Sequence, residues 1–178
     1  MPEIVDFFTG KKMPDTDMER LRQRVGRFLV EKKGYNKSDI ERDVIFEVFV
    51  NEKKIVIPID YIVCLDNKRV ILIKCFPTAL ITREKITLAC ARLLNNNYII
   101  PLTVITDGFA TEVLDTYSGK VIAEDLDKIP TKDELYKMMP KLRFEPIPEQ
   151  RKEKEKKILA AFDVWKCPIS CKECSLSS

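Results

Sequence analysis

Apolar and polar positions along this 178-residue chain follow two periods, and the changes between them outline its elements. Over residues 16–33, "TDMERLRQRVGRFLVEKK", Met18, Leu21, Val25, Phe28 and Leu29 recur at helical spacing, with basic side chains on the opposite face. Thr16 or Asp17 suits the start of this helix and Gly34 its end. Residues 43–75 are rich in β-branched and aromatic side chains, with turn signals at Asn51–Lys53 and Asp66–Lys68. That pattern predicts three antiparallel strands in a meander. Helical spacing returns over 81–97 through Ile86, Ala89, Cys90, Leu93 and Leu94, and stops at an asparagine run. A short apolar strand is predicted at 98–108, a hairpin turning at Ser118-Gly119 over 112–124, and a short helix over 130–142 opened by Pro130 and Thr131. The expected class is α/β, in the order α-β-β-β-α-β, with a mixed sheet flanked by helices and an appended hairpin and C-terminal helix.

The chain divides into a globular domain over 1–147 and a charged helix with a cysteine-rich tail over 148–178. Within the second part, "RKEKEKK" (151–157) reads as a solvated helix with i,i+4 pairs, or as a phosphate-contacting segment. Ile158, Leu159, Phe162 and Trp165 follow it as an amphipathic turn.

Two charges interrupt the meander. In "IPIDYIVCLDNKRVILIKC" (57–75), Asp60 and Lys74 each sit in an apolar run, where an unpaired charge costs several kcal/mol. A three-residue loop at Asp66-Asn67-Lys68 would place Asp60 directly across from Lys74, whereas a two-residue turn would oppose Asp60 to Cys75. Two readings stand for the pair: a buried ion pair without chemistry, or half of an active site. In the second, the carboxylate holds a Mg²⁺ (or Mn²⁺) that polarises a phosphodiester, and the lysine orients or activates water.

Composition narrows the chemistry. Histidine is absent, which excludes Ser-His-Asp and Cys-His catalysis and histidine-based zinc hydrolysis. Net charge is only +3, with 31 Lys and Arg against 28 Asp and Glu, so total charge identifies no nucleic-acid binder. Lys11 and Lys12 with Arg20, Arg24 and Arg27 read either as an extended basic face or as simply solvated charges. The N-terminus lacks the basic-then-apolar layout of a signal peptide, and no run approaches membrane-spanning length, so the expected location is the cytoplasm.

Several ordered motifs together resemble a known family. "ERLRQRVGRFLVEKKGY" (19–35) is similar to an opening Glu-x-x-Arg helix followed by Gly-Tyr, and "PID" (58–60) with "LIK" (72–74) to an Asp-then-Glu-x-Lys core. "PLTVITDG" (101–108) and "TYSGKVIAEDLDKIPTKDEL" (116–135) resemble the later strand, turn and Ile-Pro-then-helix ending. The family is the N-terminal nuclease domain of type I restriction-enzyme R subunits, a branch of the PD-(D/E)xK, restriction-endonuclease-like superfamily. The resemblance implies a restriction-endonuclease-like fold and metal-dependent phosphodiester hydrolysis, with nucleic acid, chiefly DNA, as substrate. It also implies a homodimer or a larger restriction or repair complex. Carried over by position, Asp60 is the metal ligand and Lys74 the catalytic lysine, and Asp43 and Glu19 are supporting acids beside Arg22.

Two positions depart from that pattern. Leu72 stands where the central Glu or Asp belongs, and the Gln of the following helix is not recognisable. Glu84 is the candidate for a migrated carboxylate, with Glu47 a less favoured one; the plain reading of Glu84 is a surface salt bridge beside Arg83 and Lys85. The alternative function is therefore a nuclease-fold module without chemistry, acting in nucleic-acid binding or complex assembly.

The tail carries Cys167, Cys171 and Cys174 in a C-x3-C-x2-C arrangement. Thiolates this close can hold an iron–sulfur cluster or zinc, or they form a redox-active terminus with no metal. Cys64, Cys75 and Cys90 read as small core residues.

Overall fold

The computed structural model describes residues 2–77 and 83–163. It forms an α/β core around a six-stranded mixed sheet with a separate two-stranded antiparallel hairpin. That hairpin, β1 (Glu3–Val5) and β2 (Lys12–Pro14), precedes helix α1 (Asp17–Glu31). Strands β3 (Ile40–Val50), β4 (Lys53–Leu65) and β5 (Lys68–Cys75) make the meander, and α2 (Glu84–Leu93) crosses to β6 (Leu102–Thr106). The hairpin β7 (Thr111–Asp115) and β8 (Val121–Glu124) follows, then α3 (Lys132–Met138) and α4 (Glu149–Asp163). Strand order matches chain order, and only the β5–β6 pair is parallel, as a helical crossover requires.

The sheet is covered on both faces. One apolar layer gathers Leu21, Val25 and Leu29 of α1 against Tyr61, Val63, Ile71 and Ile73. The other gathers Ile62 and Leu72 with Ala89 and Cys90 of α2 and Leu159 of α4. Gly26 lets α1 come down onto the sheet: a Cβ there would lie 2.5 Å from Phe8 Cε2 and 2.9 Å from the Tyr61 hydroxyl. Helix starts follow their caps, with the Thr16 side chain accepting from the Glu19 N–H and the Thr131 side chain from that of Glu134.

The β4–β5 connection differs from the expected three-residue loop. It is a two-residue turn in which Asp66 and Asn67 both take positive φ, 49° and 61°. A bulge then shifts the register between Val63 and Cys64, so Ile62 pairs Leu72 and Tyr61 pairs Ile73. The bulge restores what the shorter turn would have lost, and Asp60 still meets Lys74. The charged helix α4 also differs from a wholly solvated one: Glu155 turns inward, and Arg92 and Arg151 stand 2.8 and 3.5 Å from the same carboxylate oxygen.

Candidate functional site

The site lies at the C-terminal end of β5, where the parallel strands β5 and β6 both finish. Alternation on β4 turns Asp60 to the face it shares with Lys74 of β5, and Lys74 Nζ stands 3.7 Å from Asp60 Oδ2. The same oxygen accepts a hydrogen bond from the Cys75 N–H at 2.8 Å. Both side chains are nearly buried. The Phe76 ring flanks the lysine, with Nζ 5.2 Å from its centroid.

Asp43 falls opposite Asp60, between the pairs Arg42↔Tyr61 and Val44↔Ile59. Two carboxylates facing across strands repel, and Asp43 takes a left-handed φ of 51°. Helix α1 supplies the compensating charge: Arg22 NH1 donates to Glu19 Oε2 at 3.1 Å, and Arg22 NH2 donates to Asp43. Arg22 Nε lies 2.9 Å from Asp60 Oδ1, yet it has no hydrogen-bond partner, so that contact is ionic and too bent for a hydrogen bond. Burial acts to lower the Arg22 pKa, but the Asp43 hydrogen bond and the charges of Asp60, Asp43 and Glu19 outweigh it and hold the pKa above its ordinary value.

Behind this first layer stands a second polar layer that sequence pattern does not reveal. Gln23 Nε2 donates to Glu19 Oε1 at 2.7 Å and to Asp6 Oδ1 at 2.9 Å, and Arg42 NH1 donates to Asp6 Oδ2 at 2.8 Å. Burial would raise the Asp6 pKa, but hydrogen bonds from Thr9, Gln23, Arg42 and the Phe8 N–H carry it well below the ordinary range. Its only signal is the N-terminal β1–β2 hairpin, too short for a periodic pattern.

Glu84 sits elsewhere, at the first turn of α2. It neighbours Glu112, whose pKa is raised first by burial and then by the charges of Glu84 and Glu124. Glu112 pairs with Ile105, and Ile105 with Lys74, so Glu112 lies two strands from Lys74 on the side away from Asp60. Leu72 is fully buried in the apolar layer with Ile62 and Ala89. Glu47 is paired with Lys54 at 2.8 Å.

The implied Mg²⁺ or Mn²⁺ can be tested against these residues. Magnesium needs near-octahedral oxygen coordination, usually anchored by one or two free carboxylates. Asp60, Glu19 and Asp43 already spend oxygens on the Arg22 guanidinium, and position 72 offers a buried methyl group. Among the described residues no group of three or more His, Cys, Asp or Glu side chains is placed to hold a metal ion. As arranged, the residues do not fit a divalent centre. Cys167, Cys171 and Cys174 lie outside the described residues. Cys64, Cys75 and Cys90 are free thiols, and burial pushes Cys64 and Cys90 up to about 12, which suits core residues rather than ligands.

The model of the type I restriction enzyme R protein N terminus matches residues 17–130. This chain belongs to that family. The match runs from the first residue of α1 to the Pro130 carbonyl that accepts the Tyr35 hydroxyl, and so covers the site and the sheet that carries it. It makes the chain a restriction-type, nuclease-related module. Neither a curated protein nor a solved structure matches. No helix among the described residues is long and apolar enough to cross a membrane.

Proposed function

We propose that this chain engages nucleic acid, DNA in particular, through a restriction-type nuclease fold and does not hydrolyse it. The observation that carries this reading is Leu72, which stands in the apolar core at the position where the PD-(D/E)xK pattern needs its central carboxylate. Binding has its own support. Arg20, Arg24 and Arg27 are exposed along one face of α1, where Asp15 pairs with Arg20 at 2.6 Å and Glu31 lies 3.8 Å from Arg27, so phosphates would compete with these acids for the stripe. Beside it the Phe109 ring is 89% exposed, with the Arg24 guanidinium 5.0 Å from its centroid. An exposed ring beside a cation suits stacking on a base. A restriction enzyme's R protein is one component of that enzyme, so the partners inferred are other subunits as well as DNA.

Metal-dependent hydrolysis at Asp60, with Lys74 catalytic, is the second reading, favoured by the approach of those two side chains to 3.7 Å. One experiment separates the two: binding and cleavage of duplex and single-stranded DNA across a salt series, with Mg²⁺ or Mn²⁺ present. The expected result is salt-dependent binding without cleavage. The triple variant Arg20→Gln/Arg24→Gln/Arg27→Gln should flatten the salt slope by about one for each phosphate no longer neutralised. Cleavage abolished by Asp60→Asn and Lys74→Ala would establish the hydrolytic reading instead. No binding at any salt concentration would overturn both.

A further inference from the structure

We infer that the Arg22 guanidinium is the built-in cation of this site and takes the seat a divalent ion would otherwise hold among Glu19, Asp43 and Asp60. The inference deepens the non-hydrolytic reading, but its test uses no nucleic acid. Three carboxylates, from α1, β3 and β4, surround one side chain and each meets a different nitrogen of it: NH1 with Glu19, NH2 with Asp43 and Nε with Asp60. Two of these acids face each other across adjacent strands, an arrangement that needs a cation between them.

The surrounding polar groups hold the acids and leave the seat to Arg22. Gln23 fixes the far oxygen of Glu19, the Cys75 N–H and Lys74 hold the far oxygen of Asp60, and Arg42 lies 3.4 Å from Asp43 Oδ2. Each carboxylate thus presents one oxygen inward and has the other occupied. Arg22 is also the weakest-fitting member, because its approach to Asp60 is bent. A guanidinium carries its charge on the chain itself and needs no loading, so the site keeps its shape without metal.

Removing the side chain should empty the seat. The test is Mn²⁺ binding followed by electron paramagnetic resonance of the free ion, on the wild-type chain, Arg22→Gln, Arg22→Lys and Arg22→Gln/Asp60→Asn. Arg22→Gln should gain one saturable Mn²⁺ site at least about tenfold tighter than any in the wild type, since a unit positive charge close to the acids has been removed. Arg22→Lys retains the charge and should gain none, and the double variant should lose the gained site. Mn²⁺ should also raise the melting temperature of Arg22→Gln and leave the wild type unchanged, and this readout serves even when the variant is folded only with metal present. A wild-type site of equal affinity that disappears in Asp60→Asn would overturn the inference, and so would an Arg22→Gln protein that binds no Mn²⁺.

Discussion

Asp60 owes its environment to other residues more than to its own strand: one oxygen faces a guanidinium, and the other faces a lysine and a backbone amide. Asp6 shows the same dependence one layer further back, and there it makes stability depend on pH. Its carboxyl is held below its ordinary value of 3.8 because the ionised form accepts from Thr9, Gln23 and Arg42. A depressed carboxyl contributes fully above its ordinary value, and the contribution is lost as pH falls below it. Asp6→Asn should therefore cost about 1–3 kcal/mol at neutral pH, since it weakens a buried, charge-assisted network. Urea unfolding at a series of pH values should show the wild type and variant converging below 3.8. A gap independent of pH would mean the ionised carboxylate contributes nothing.

The attachment of α4 centres on the buried Glu155 carboxylate, which Arg92 and Arg151 share. Arg92 donates to Glu155 Oε1 and to the Thr116 carbonyl, while Leu159 enters the apolar layer one turn later. Glu155→Ala should destabilise by about 3–5 kcal/mol, because Arg92 would be left buried without its counter-charge. The pair Arg92→Met/Glu155→Leu should recover most of that loss in the same urea experiment, since an apolar pair needs no compensation; a loss as large as the single variant's would place the contribution elsewhere. The sequence could not reveal this. Every side chain in "RKEKEKK" is charged, so no apolar periodicity marks the inward face. The core elements were legible because burial imposes period 2 or 3.6 on long segments. The β1–β2 hairpin was not, since three residues are too few to show a period. The register of Asp60 against Lys74 was reached through a three-residue loop, whereas the chain uses a tighter turn and a bulge to arrive at the same pairing.

At the scale of the whole molecule, a nuclease-type sheet carries a charge-compensated acidic cluster, and the outward face of α1 carries a separate set of exposed arginines. The sequence disclosed the acids as separate candidates, Glu19 and Asp43 beside Asp60, because residue type and spacing suffice to name them. It did not disclose that a single guanidinium joins them, because that depends on how α1 lies across β3 and β4. The most direct measurement of the central claim is a crystal of the wild-type chain soaked in Mn²⁺, with anomalous scattering recorded at the manganese edge. The expected map shows Arg22 in contact with Glu19, Asp43 and Asp60 and no anomalous peak among them. A manganese peak bonded to Asp60, with Arg22 displaced, would contradict the claim and restore metal-dependent hydrolysis as the reading of this site.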